Sequence, residues 1–321
     1  MNGGFRFLAI TCLAALAAAA GAAWGQAAWP TQRVTLVNPL QPGGAIDIVG
    51  RAVAQQLEQK WNQPVIVESR PGGGMMIAAG YVAKSAPDGH TMVLAGDLSA
   101  SRLFMKVDFP DSDLKPAVQL VKGGWLAVAS ASIPVKSLAE FVAYAKARPK
   151  ALNFGTIPNT TFDLDYAEFE QKAGIEMTGV PYQGTVPAAT ALSRNEIQFM
   201  FGVPITVAPH IQSGRVVILA ATTGQRMQQF PNVPTIRELG IDYEGGYDIG
   251  LYAQGRTPDA IIARIAADAG AAVKVPEVAA RFRDLGFESS GLPGPAWAEE
   301  KERKLRTYTE LARKAGIKPP Q

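Results

Sequence analysis

The residues from which nucleophilic, metal or redox chemistry is usually built are scarce in this chain. It holds two histidines, His90 and His210, and one cysteine, Cys12. His90 falls in a turn and His210 on a helix just after Pro209, so both read as packing or solvent residues. There is no Gly-x-Ser-x-Gly elbow, no His-Glu-x-x-His and no Gly-x-x-x-x-Gly-Lys-Ser/Thr phosphate loop. Gly72-Gly73-Gly74 stands between a strand and a helix as a dinucleotide loop would, but Ile77 occupies the place of the third glycine. A different chemistry is open to Gly43-Gly44. Two adjacent glycines at a helix start leave backbone N–H groups uncovered, and the helix dipole favours an anion there. Asp47 lies in the first turn and reads as an N-terminal charge that pairs with Arg51 one turn later. What the residues offer is anion binding by backbone, not bond breaking by side chains.

The elements around that turn follow from apolar spacing. Val34, Leu36 and Val37 form a short apolar run that predicts a buried strand, and Asn38 to Gly44, with two prolines and two glycines, predicts a loop. Ile46, Val49, Val53 and Leu57 then recur at helical spacing. The alternation continues. Strands are predicted at Val65–Val67, Thr91–Ala95, Leu126–Ala129, Leu152–Phe154, around Val180, at Ile197–Phe201 and at Val216–Ala221. Helices are predicted at Met75–Lys84, from a Ser137 cap to Ala147, at Phe162–Ala173, Ala188–Ser193 and Ile205–Ser213. Such alternation implies parallel sheets flanked by helices. Three further helices are expected at the end, Asp259–Ala272, Pro276–Leu285 and Ala296–Ala315. The last is so rich in paired charges that it reads as a solvated surface helix.

Residues 1–25 carry one charge, Arg6, and an Ala-rich apolar run ending at Ala23-Trp24-Gly25, the pattern of a secretory signal peptide. Cys12 lies inside that run, so the mature chain has no cysteine and must be held by its core; roughly 295 residues are ample for one. Without Arg6 the formal charge falls from +3 to +2, and with no basic block or aromatic–basic ladder nucleic acid is not an expected partner. Length suggests two domains, with Gly123-Gly124 and Gly245-Gly246-Tyr247 as the crossing points.

Several segments, in order, resemble the TctC-type (Bug) solute receptors of tripartite tricarboxylate transporters. They are WPTQRVTLVNP, the Pro-Gly-Gly-x-x-Asp-x-x-x-Arg stretch from Pro42 to Arg51 (PGGAIDIVGR), VIVESRPGGG, VAKSAPDGHTMVLA, LNFGT, VPYQGTVPA, PNVPTIRELG and AGIKPP. The resemblance implies an α/β, two-domain periplasmic-binding-protein fold (Venus flytrap, type II) with a ligand cleft between the domains. The parts would be signal peptide 1–25, domain 1 from 26–124 plus 246–321, and domain 2 from 125–245. It implies a periplasmic monomer that binds a small aliphatic or aromatic mono- or dicarboxylate and delivers it to membrane permease subunits. No catalytic residue, cofactor or metal is implied. The family's cleft loops correspond here to Pro42, Gly43, Gly44, Ala45 and Asp47; to Asp97, Leu98 and Ser99; and to Thr156, Pro158, Asn159, Thr160 and Thr161. They continue with Tyr182, Gly184 and Thr185, and with Gly202 and Val203. In the family much of the carboxylate recognition comes from backbone groups and bridging waters, so no Arg clamp is required.

Two departures bear on the ligand. The family's Gly-Ser-Ala-Gly-x-Gly-Thr loop is Gly155-Thr156-Ile157-Pro158-Asn159-Thr160-Thr161, stiffer and bulkier. Its common Phe-Asp is Phe201-Gly202, which removes a carboxylate. With Asp163 expected to point outward, this implies a ligand whose far end is apolar or weakly polar. Trp125, Phe162 and Phe201 are expected in the core, and Tyr182 at the ligand. Two other readings stand beside this one: a receptor that presents its ligand to a membrane sensor, and an α/β enzyme.

Overall fold

The structure is a computed structural model that describes residues 29–314. The expected signal peptide and the AGIKPP end lie outside the described residues. Two sheets organise the chain. The first is built from β1 (Val34–Asn38), β2 (Val65–Ser69), β3 (Thr91–Ala95), β4 (Leu114–Gly123), β10 (Tyr247–Gln254) and β11 (Phe287–Pro293), in the order β11-β4-β10-β3-β1-β2. The second holds β5 (Leu126–Ser130), β6 (Asn153–Thr156), β7 (Thr178–Pro181), β8 (Phe199–Gly202) and β9 (Val216–Ala221), in the order β7-β6-β8-β5-β9. We call each sheet with its helices a lobe.

The sheets are mixed, not parallel. β1 pairs parallel with β2 and β3, and β6 with β7 and β8. β10 and β11 run antiparallel to their neighbours, and so does β5. β5 shows an apolar run, but in the first sheet the strands that change the arrangement are the ones apolar spacing does not reveal. β4 carries Pro116, β10 an Asp and a Gly, and β11 two serines, a Gly and a Pro; such residues read as loops. Bulges in β10 and β11 break the alternation further. Gly250 in β10 allows a close approach: a Cβ there would sit 2.3 Å from the Trp297 ring and 2.4 Å from Val118 O.

The helices of the first lobe are α1 (Ala45–Trp61), α2 (Met76–Ala83), α7 (Asp259–Ala272), α8 (Pro276–Asp284) and α9 (Gly294–Lys314). The second has α3 (Leu138–Lys146), α4 (Thr161–Ala173), α5 (Thr185–Ser193) and α6 (Pro204–Gln212). Local chemistry explains several boundaries. Ser137 accepts from the Glu140 N–H and caps α3, and Gly174 closes α4 in the left-handed region at φ 65°. Asp47 in α1 accepts from the Arg51 guanidinium at 3.0 Å, the pairing its spacing predicts. The second lobe is centred on buried rings: Tyr166 stacks on Phe201 at 4.8 Å, and Phe169 on Phe199 at 5.5 Å. Tyr166 is held further by donating to Gly155 O at 2.9 Å and accepting from the Phe201 N–H at 2.7 Å. Burying such side chains stabilises by about 1.5–3 kcal/mol each.

The chain crosses between the sheets at Gly123–Trp125 and returns at Gly245–Tyr247. The crossovers touch: a Cβ on Gly246 would sit 2.6 Å from Gly123 O. Thr222 ties them together, its hydroxyl accepting from the Trp125 N–H at 2.8 Å and donating to Gly245 O at 2.9 Å.

α9 is not the solvated helix its charges suggest. Trp297, Tyr308 and Ala312 are buried, and Lys301 is partly so. With Lys304 these residues form one stripe spaced 4, 3, 4 and 4 along the helix, and the surrounding charges hide it. Through this stripe α9 reaches the other lobe, where Tyr308 and Ala312 pack on Leu164 of α4. Beside them Asp165 is buried, with the Tyr308 hydroxyl donating to Oδ1 at 3.4 Å. Burial pushes its carboxyl up to about 7, offset in part by Lys304.

The folded chain therefore keeps a proton on Asp165 that the unfolded chain releases near pH 4. Stability should fall as pH rises from about 4 to 7, by at most about 1.4 kcal/mol per unit from this group. Melting temperatures of Asp165→Asn between pH 5 and 8 should show a flatter profile than wild type. Glu170, also pushed up to about 7 by burial, leaves a residual slope. An unchanged profile would show that the Asp165 carboxyl does not titrate with a raised pKa in the folded chain.

Candidate functional site

A cavity lies between the lobes at the carboxyl ends of β1, β3, β6 and β7, with about 890 Å³ of unfilled space including its opening to solvent. This is where open α/β sheets place ligands, and the β2-β1-β3 order puts a topological switch at that edge. The lobes touch beside it. A Cβ on Gly74 would lie 2.9 Å from Asn159 O, and one on Gly184 3.9 Å from Leu40 Cβ.

Four helices begin at the cavity wall. Gly44 is the N-cap of α1, Thr160 of α4, Gly184 of α5 and Val203 of α6, and all four line the space. Thr160 caps its own helix by accepting from the Phe162 N–H, whereas Gly44, Gly184 and Val203 supply no side-chain cap. The first N–H groups of a helix have no intrahelical acceptor. Those of α1 and α5 therefore face the cavity behind glycines. The expected role of Gly43 changes: its N–H donates to Asp47 Oδ2 at 3.0 Å, and the residue at positive φ (85°) is Gly43, not Gly44 (φ −83°).

Of the residues read as cleft-lining, Gly44, Ala45, Asp47, Asp97, Thr160, Thr161, Gly184, Thr185 and Val203 line the cavity. The others stand behind it. Pro42 and Gly43 are exposed on the outer side of the turn, and Leu98 is buried in the core of the first lobe. Ser99 donates its hydroxyl and N–H to Asp97 Oδ1. Thr156 and the Asn159 N–H both donate to Asp163, each at 2.7 Å, and Pro158 lies between them in the chain. Asp163 thus turns back on its own loop instead of outward, and burial raises its carboxyl pKa. Tyr182 packs on the α5 side of the second sheet with Ala188 and Ile197. Gly202 points away: a Cβ there would lie 2.5 Å from Val207 Cγ1 and 3.5 Å from Val128 Cγ2, inside the core. An aspartate at 202 would enter that core, so its absence says nothing about the ligand's far end.

Other residues complete the wall. Trp125, Phe162 and Tyr247 form an aromatic side, the Trp125 ring 4.4 Å from each of the others. They serve as core and wall together, which their positions beside strands foreshadow. Lys304 and Tyr308 arrive from the lobe-facing stripe of α9, a signal present in the spacing but masked by its charges. Gly96, Asp248 and Ile249 come from β10 and the end of β3, and β10 is a strand the sequence conceals. The acidic groups are unequal. Asp47 is engaged by Gly43 and Arg51 through Oδ2. Asp97 is buried, Oδ2 has no partner, and burial raises its pKa against the lowering by Ser99 and Lys301. Asp248 receives the Trp297 indole N–H and the Gln119 amide on Oδ2. Lys301, whose Nζ donates to Tyr252 Oη at 2.7 Å, is lowered to about 8 by burial.

Comparison with known proteins agrees with this architecture. A Cupriavidus necator protein, the UPF0065 protein in the gbd 5′ region, is 32% identical over 260 residues, 77% of this chain and 79% of that one. Protein BugT of Bordetella pertussis is 30% identical over 222 residues, 66% of this chain and 67% of its own. Among solved structures, R. palustris Rpa4515 with adipate superposes with a TM-score of 0.86 at 27% identity, covering 91% of this chain and all of the other. MatC from Rhodopseudomonas palustris with bound malate gives 0.82 at 27%, covering 88% and 99%. The periplasmic binding protein BugD, at 23% identity, shares the fold with a TM-score of 0.83 over 90% of this chain and 99% of its own. The family model described as "Tripartite tricarboxylate transporter family receptor" matches residues 49–293, and the chain belongs to that family, TctC.

Proposed function

We propose that this protein is an extracytoplasmic receptor that closes on a small carboxylate between its lobes and delivers it to the permease subunits of a tripartite tricarboxylate-type transporter. The observation that carries the reading is the convergence of four helix N-termini from both lobes on one cavity. Those of α1 and α5, which no side chain caps, favour an anion, each by up to about 2 kcal/mol when partly buried. Three or four hydrogen bonds to the carboxylate at about 1.5–3 kcal/mol each, with apolar contact to the aromatic wall, suffice for the ~8 kcal/mol of a micromolar complex. The relatives whose structures hold adipate and malate support a carboxylate as the ligand class. In this reading the closing bodies are residues 26–124 with 246–321, and residues 125–245. The cavity-lining members of the cleft loops hold the ligand, and residues 1–25 direct export to the periplasm.

Three measurements test it. Mono-, di- and tricarboxylates are screened by thermal shift; a true ligand at 100 times its dissociation constant adds about 2.7 kcal/mol of stability. A panel in which none raises the melting temperature would overturn the reading. For the site, Gly44→Val keeps an ordinary backbone, since a Cβ there meets only Gln41 O at 3.8 Å, while its methyls cover the α1 terminus. Calorimetry should show at least tenfold weaker binding, about 1.4 kcal/mol, at an unchanged melting temperature; wild-type affinity would take this turn out of the site. For export, intact mass of the secreted protein should correspond to a chain beginning at Gln26, and an unprocessed Met1 chain kept in the cytoplasm would end that part.

A further inference from the structure

The helix termini account for one end of a ligand and leave the acidic end of the cavity unexplained. Asp97 is 6% exposed, yet its Oδ2 accepts no hydrogen bond while Oδ1 takes both donors from Ser99. Asp248, on the neighbouring strand β10, takes both of its side-chain donors on Oδ2. Gly96 lies between them on the cavity wall. A Cβ there would come within 2.7 Å of Asp248 O and 3.3 Å of its Oδ1, so only glycine lets Asp248 stand this close to the turn that carries Asp97. The half-buried cation close by, Lys301, is turned to the Tyr252 hydroxyl and the rings of Tyr252 and Trp297. Two acids against one lysine leave an excess of acceptors at this end.

We infer that Asp97, backed by Asp248, is a specificity-determining residue that selects carboxylates bearing a hydrogen-bond donor, a hydroxyl or protonated amine, over the same acids without one. The inference rests on the carboxylate-receptor reading above. A wall built to accept from an OH or NH discriminates against a ligand lacking it, because the buried acceptor is then left unpaired. A plain second carboxylate at this end would meet like charge instead.

Calorimetry on the mature protein with succinate, malate and aspartate, and with glutarate, 2-hydroxyglutarate and glutamate, decides it. At least one hydroxy or amino acid should bind tenfold or more tightly than its unsubstituted parent, and the two substituents separate a neutral from a charged donor. In Asp97→Asn, which keeps an Oδ1 acceptor for Ser99, that ratio should fall below threefold. Melting temperatures confirm that the variant is folded. Parents binding as well as their substituted forms in wild type, or a ratio that survives in the variant, would overturn the inference and leave the receptor reading intact. If none of these six acids binds while other carboxylates do, the inference falls alone. If no carboxylate of any kind binds, both fall.

Discussion

Helix N-termini are usually satisfied by their own caps, and here α1 and α5 begin at glycines that supply none. Their N–H groups can be left open only where water or a ligand reaches them. That constraint fixes the position of the cavity. The uncapped termini of α1 and α5 belong to different lobes, so one anion can meet both only when the lobes stand face to face. The strand order then follows as a requirement: β1 lies between β2 and β3, and β6 between β7 and β8, so the loops after β1, β6, β7 and β8 open toward one another.

The same arrangement needs the lobes to be joined without being welded. Two crossovers run against each other through Gly123 and Gly246, where no side chain fits, and the Thr222 hydroxyl bridges them. α9 adds a third link. It covers Gly250 of β10 with Trp297 and meets α4 of the opposite lobe with Tyr308 and Ala312. Any change in the angle between lobes must carry that apolar contact along or expose it, and Asp165 sits in it as a buried acid with one weak partner. The cost of charging that acid, not an exposed ion pair, sets the pH response of the contact.

How far the sequence could be read depends on which signal each element leaves. The strands β1, β2, β3, β5 and β9 show apolar runs and were legible, as were the helix starts after Gly44 and Ser137. β4, β10 and β11 were not, because their partners and the covering Trp297 make them strands despite Pro116, Gly250 and Gly291. With β10 went Asp248 and Tyr247, and with the masked stripe of α9 went Lys304 and Tyr308. Half of the loop residues named by resemblance line the cavity. Which of them face the space was not legible: a one-residue step separates Gly202, aimed at Val207, from Val203, which lines the wall.

That step also decides what the cavity's charge means. A substitution at 202 changes the core, so the balance at the ligand is set by Asp97 and Asp248 against the helix termini and the exposed Lys304. At an effective dielectric near 20, a like charge about 8 Å away costs a ligand carboxylate about 2 kcal/mol, as much as one favourable helix terminus contributes. On the proposed reading, a carboxylate is favoured at the glycine-capped ends of α1 and α5 over the wall beside β10. On that reading the helix termini and the acids of β3 and β10 stand at different parts of one wall, with Asp47 already engaged by Gly43 and Arg51, and a carboxylate ligand would be oriented by that difference before any shape is matched.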